Sequence, residues 1–245
     1  MADASLGTRP RLMSQVYERE FAALLRRIES TPGIQPEELT AFWPKIGARY
    51  AGDLLIVGRS VNGWVDRWVP GGPMKAQDVA AQARATGEWE TNEDQLGWVL
   101  DRWKRRDGRY DTSRSQFWET IRLITTGLDP AWSADWPSRI TWTNLVKVAP
   151  WERGNPGGAL LDVQRQSAPA LLAREIEELD PQRVVVFAGR WWFEPFASAL
   201  GLAVDWRDGL VEGVAKADRR WVVAVHPMTR SPRRVADEVI AALEE

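Results

Sequence analysis

Four short apolar runs constrain this chain more than any other feature. They are DLLIVG (Asp53 to Gly58), RITWTNLVKV (Arg139 to Val148), RVVVFAG (Arg183 to Gly189) and WVVAVHP (Trp221 to Pro227). A continuous apolar run of this length, without alternation, is how a strand buried on both faces reads. Helical spacing fills the stretches around them. Arg11 to Ser30 repeats Val16, Phe21, Leu24, Leu25 and Ile28, and a second helix is expected from Pro36 through Tyr50, opened by Pro-Glu-Glu. Further helices are expected over Ala76–Thr86, Ser115–Leu128, Leu160–Leu179, Trp191–Leu200 and Pro232–Leu243, and a Trp-studded amphipathic stretch runs from Glu93 to Arg106. Strands alternating with helices predict an α/β fold, a three-layer αβα arrangement around a mostly parallel sheet of about four strands. The 245 residues read as one domain, with a helical N-terminal extension (about 10–50) and a Trp-rich insertion (about 64–114).

Composition removes several chemistries. With no Cys, disulfides, cysteine nucleophiles, zinc–thiolate sites and Cys-ligated iron–sulfur clusters are excluded. One His excludes a metal site built on two or three imidazoles, and neither a metal nor a cofactor is expected. No apolar run approaches the ~20 residues that span a bilayer. The first residues lack the apolar core of a signal peptide, so no membrane partner and a cytoplasmic monomer are expected. The 15 Trp outnumber Tyr and Phe together. Indole fills cores well, but it also stacks on flat ligands such as bases.

In open parallel sheets, ligands bind outside the carboxyl ends of the strands. Those ends carry GRSVNGW (Gly58 to Trp64), TNLVK (Thr143 to Lys147), AGRWW (Ala188 to Trp192) and HPMTRSPRR (His226 to Arg234). His226, the single His, therefore sits at a strand end, with Asn62 and Asn144 at two others. There is no phosphate-binding loop with Lys and Ser/Thr, and no dinucleotide turn. GRSVNG is not a nucleophile elbow either.

Together these segments resemble the uracil-DNA glycosylase superfamily. LLIVGRSV stands where that family has a buried strand ending Gly-x-Asp/Asn/Glu-Pro. SQFWETIRLITTGL is similar to the Asn-Arg-Phe-Trp…Gly-Leu helix of its mismatch-specific branch. TNLVKVAP followed by NPGG, and EIEELDPQRVVVFAGR, resemble segments of the thermostable branch, and HPMTRSPRR stands in place of the family's His-Pro-Ser loop. The likeness covers roughly 53–58 and 115–245. The departures are specific. The thermostable branch's four cluster Cys are absent. The catalytic acid position holds Ser60, followed by Val61 in place of Pro, and the aromatic that closes uracil pockets against C5 substituents is Asn62.

The resemblance implies a DNA glycosylase that flips a pyrimidine into a pocket and breaks its C1′–N bond. His226 would stabilise charge on the departing base, and Ser60 or Asn62 would hold the water. Asn144 would read the base edge, of uracil or, with its amide rotated, of cytosine. Phe117 and Trp64 would stack on the base, beside Gly58. Arg230 would fill the vacated stack or clamp a phosphate, supported by Arg233 and Arg234; Lys147, Arg105 and Arg106 are further DNA contacts. The chain as a whole is acidic, with a pI near 5.7, so binding would rest on local charge. Asn62 in place of an aromatic opens room at C5, so the preferred substrate is a C5-modified pyrimidine, such as a hypermodified cytosine of phage DNA removed in antiviral defence. The alternatives are uracil or mismatch repair, a non-catalytic DNA-binding module on the same fold, and a protein acting on free nucleotides or small metabolites.

Overall fold

The computed structural model describes residues 13–34, 37–61, 67–89, 94–106, 109–152 and 154–245, the side chains of 87–89 excepted. In chain order the elements are α1 (Gln15–Ser30), β1 (Leu39–Ala41), β2 (Lys45–Ile46), β3 (Leu54–Gly58), α2 (Ala76–Trp89) and α3 (Gly97–Asp101). Then follow α4 (Gln116–Leu128), β4 (Ile140–Asn144), β5 (Val148–Pro150), α5 (Gly158–Leu179), β6 (Arg183–Phe187) and α6 (Arg190–Ala199). The chain closes with β7 (Asp205–Trp206), β8 (Val211–Lys216), β9 (Arg220–Ala224) and α7 (Pro232–Glu244).

All four apolar runs form strands, and β4, β3, β6 and β9 lie side by side and parallel. The sheet is larger than the expected four strands, with the order β2-β4-β3-β6-β9-β8-β7; the three additional strands pair antiparallel at its two edges. β1 and β5 form a separate antiparallel pair. Alternation along each parallel strand divides the core in two. Leu55, Val57, Val184, Val186 and Val223 face a layer built from α1, α2, α5 and α6. Leu54, Ile56, Val185, Phe187 and Val222 face α3, α4 and α7. Burying such a side chain contributes roughly 1.5–3 kcal/mol, which is why the central strands need no polar face. No helix among the described residues is long and apolar enough to cross a membrane.

Several expectations fail, each for a physical reason. Pro36 to Tyr50 is not a helix but carries β1 and β2. Every residue from Leu39 to Gly47 is buried, so a helix would lack a solvent face, and Pro44 would break its interior. Arg139 to Val148 is not one strand: β4 stops at Asn144, and β5, in the separate pair with β1, begins at Val148 after a bend in which Lys147 is buried. The Glu93–Arg106 stretch has only the short helix α3 in its described part. Of the insertion's tryptophans with described side chains, Trp68 is core, and Trp98 and Trp103 pack against the core of the α4 side. Trp89's side chain lies outside the described residues. Trp118, Trp142 and Trp221 are core.

Candidate functional site

The chain leaves β3 for β4 on one side and leaves β6 for β9 on the other, so the strand order switches between β3 and β6. That is where an open parallel sheet parts into a crevice. A cleft of about 520 Å³ lies there, on the α6 side, with Arg59, Gly189, Trp191, Trp192 and His226 among its lining. A second cleft, of about 690 Å³, lies on the α4 side and includes Tyr110, Arg114, Gln116, Phe117, His226 and Met228. His226 lines both. Of the exposed large apolar side chains described, Val16, Tyr110, Trp191 and Met228, all but Val16 line these two clefts.

The His226 loop is held from both ends. Gln116, at the start of α4, accepts from the Thr229 N–H (2.6 Å) and donates to the Arg230 carbonyl (3.1 Å). This clamp fixes Thr229 at φ +67°, a left-handed conformation that β-branched residues rarely adopt. Within the loop the Met228 N–H donates to His226 Nδ1 at 3.2 Å, which leaves the ring proton on Nε2. Burial, and secondarily the positive charge of Arg59, lower the imidazole pKa to about 4. At neutral pH His226 is thus an uncharged donor. Phe117 lies 6.1 Å from it with the rings 17° from parallel, and edge contacts with Trp118 and Phe187 hold the phenyl in place. α4 aims Phe117 because Ser115 caps the helix, its hydroxyl accepting the Trp118 N–H.

Asn144 ends β4 at the level of Gly58 on β3. Strand alternation puts its amide on the same face as Trp142, which lies 6.1 Å from Phe117. The side chain is 1% exposed, and its Nδ2 has no hydrogen-bond partner. A Cβ at position 58 would overlap Asn144 Oδ1, so only Gly lets this amide sit there. An unmet buried donor costs about 1–3 kcal/mol; Asn144 itself lines neither of the two clefts.

Lys147, expected as a DNA contact, does not reach the surface. It is fully buried, its Nζ 2.7 Å from Glu175 Oε1, and it donates to Thr143 Oγ1 and the Asn144 carbonyl, each at 2.7 Å. Its place in the site is to hold the backbone of Asn144 from beneath. Ser60 donates to Asn155 Oδ1 at 2.7 Å, pairing the third strand end with the NPGG segment. Asn62 and Trp64 lie outside the described residues.

Arg230, Arg233 and Arg234 are exposed. Arg233 and Arg234 face Asp237 (4.0 Å) and Glu238 (3.4 Å) on their own helix, as a solvated face would. Arg105 and Arg106 line neither cleft, whereas Arg109 and Arg114 line the α4-side one.

Two residues that sequence reasoning passed over stand in the α6-side cleft. Arg59 was hidden as the spacer between Gly58 and Ser60, although alternation puts it on the opposite face from Gly58. Glu212 is the extra residue of a bulge in β8, where Val211 pairs with Ala224 and Gly213 with Val223. The bulge turns its carboxylate to accept the Arg190 N–H (2.5 Å) at the start of α6. Among the described residues no cluster of three His, Asp or Glu gathers to hold a metal. No protein-family model matches the chain, and no curated protein matches it.

Proposed function

We propose that this protein is a DNA glycosylase that flips out a pyrimidine, preferably one modified at C5, such as a hypermodified cytosine of phage DNA, and leaves an abasic site. The observation that carries this reading is the buried, unmet Asn144 amide on the face of the sheet that bears Phe117, with neutral His226 against that ring. An edge-reading amide, a stacking ring and an uncharged donor are what a flipped base requires. The exposed Tyr110, Trp191 and Met228 around the two clefts supply the apolar surface on which strands stack.

In this mechanism the base stacks on Phe117 and Asn144 Nδ2 donates to an acceptor on its edge. The C1′–N bond breaks heterolytically, its electron pair goes to the base, and His226 Nε2–H stabilises the resulting negative charge through a hydrogen bond. Ser60 Oγ, whose proton is directed to Asn155, accepts a hydrogen bond from the water that adds to C1′. None of the groups assigned here is a carboxylate, so the water's proton passes to solvent and turnover is slow.

The same neutrality favours a second reading, a DNA-binding module without catalysis. Abasic-site formation on oligonucleotides identical except for one base separates them. The bases are uracil, mismatched thymine, 5-hydroxymethylcytosine and its glucosylated form. Release of the C5-modified bases is expected. Release of uracil alone overturns the C5 preference, and binding without release of any base overturns the enzyme.

A further inference from the structure

Of the charged groups lining the α6-side cleft, Arg59 alone has neither an ion pair nor a side-chain hydrogen bond among the described residues. Glu212 accepts the Arg190 N–H, and Glu194 pairs with the Arg190 guanidinium at 3.1 Å. Among the described residues no carboxylate lies within ion-pair distance of Arg59. Among the described residues its one side-chain partner is the Trp192 ring, 5.3 Å from the guanidinium carbon, and its buried Nε meets no hydrogen-bond acceptor. Burial lowers its pKa, so the cation is held half out of water with nothing to offset the loss. Surface arginines avoid this arrangement by snorkelling; here the Trp192 face holds the fork in the crevice.

We infer that the cleft between β3 and β6 is a phosphate site with Arg59 as its cation, separate from the base-reading groups across His226. A planar guanidinium with an unmet N–H suits bidentate binding of a phosphate better than a point charge does. Arg114 on the second cleft and Arg230 beyond the His226 loop also have no carboxylate within 4 Å among the described residues. Arg114 shares its cleft with Arg109 and Asp111, so further cations lie across His226 from Arg59, where the next phosphates of a strand would fall. That the phosphate belongs to DNA rests on the glycosylase reading; the cleft's chemistry does not.

His226 is the only imidazole in the chain, so its NMR signals report on the cleft without assignment. The charged groups sharing clefts with it are Arg59, Arg190, Glu194 and Glu212 on one side, and Arg109, Asp111 and Arg114 on the other. The full-length protein is titrated with inorganic phosphate, with a short oligothymidylate, and with thymidine as the uncharged control. Phosphate and oligothymidylate should shift the imidazole signals saturably and raise the pH at which the ring titrates, while thymidine should not do so through this cleft. Response to phosphate but not to oligothymidylate identifies a site for free phosphate and overturns the backbone assignment.

In Arg59→Gln, phosphate binding should weaken by roughly tenfold or more, and the slope of log affinity against log salt for oligothymidylate should fall by about one. Arg59→Lys, which keeps the charge, should retain that slope; a slope lost equally in both variants overturns the assignment. So does a saturable response unchanged in Arg59→Gln, or no saturable response in the parent protein. The two readings fail separately. Arg59-dependent binding without base release removes the glycosylase and keeps the phosphate site. Base release and salt slope unchanged in Arg59→Gln remove the site and keep the glycosylase.

Discussion

Lys147 and Arg59 are both cations at the carboxyl ends of neighbouring strands, yet their surroundings differ in one decisive respect. Lys147 is sealed between the sheet and α5 with all three of its protons placed, on Thr143, the Asn144 carbonyl and Glu175. Tyr17 from α1 donates to the same Glu175 oxygen. Burial lowers the Lys147 pKa and, with Glu175 beside it, lifts that of Tyr17 well above the ordinary phenol. Arg59 and its neighbour His226 also lose water, but their donors end on a cleft. A charge that is buried and satisfied serves the fold; one that is half-buried and unmet is waiting for a ligand. The difference lies in the partners, since the residue types and strand positions are alike.

The largest effect tests the closed cluster. Lys147→Met leaves Glu175 charged and buried and should cost about 3–5 kcal/mol in urea unfolding, whereas Lys147→Met with Glu175→Leu should recover most of that loss. A mild single variant would break the contrast with Arg59. Next comes the open side. His226→Ala should lower base release by roughly 10²–10³-fold, the effect of removing one charge-stabilising donor, with little change in stability. If His226→Ala and Asn62→Ala both release base at the parent rate, the assigned roles are wrong.

Gly58→Ala joins the two regions, because the new methyl meets the Asn144 side chain whose backbone Lys147 supports. It should cost about 1–3 kcal/mol by overpacking and reduce base release to the level of Asn144→Ala; full activity would show that the amide need not stay where it is. The smallest effect is electrostatic. His226 titrates near pH 4 when folded, below the ordinary 6.5, so between these values the unfolded chain binds more protons. Stability should be complete above pH 6.5 and decline as pH falls through 4, by the order of 1–2 kcal/mol once partial exposure is allowed for. The decline should be absent in His226→Asn.

The central strands and most helices were legible because burial on both faces leaves an unbroken apolar run, and burial on one face leaves a periodic one. β7 and β8 were not: β7 is a two-residue edge strand, and β8, although its burial alternates, turns only Val211, Gly213 and Ala215 inward, too little apolar bulk to read as a strand face. β1 and β2 were misread since Pro-Glu-Glu starts helices in general, while the overriding fact was complete burial of Leu39 to Gly47. The strand-end rule placed Gly58 and Asn144 at the ends of β3 and β4 and His226 just past β9, and the fold sets Phe117 against His226. It misplaced Lys147, whose position after a strand looks the same whether the chain turns outward or inward.

By itself, then, the sequence determined the parallel α/β core, the lack of Cys chemistry and the single imidazole, because these follow from composition and from periodicities a few residues long. The tertiary structure alone decided that Arg59 and Glu212, 153 positions apart in the chain, share a cleft. It also decided that Lys147 is structural and that Asn144 keeps an unmet donor. Whether a polar group is satisfied depends on partners brought from distant segments, and no local pattern records them.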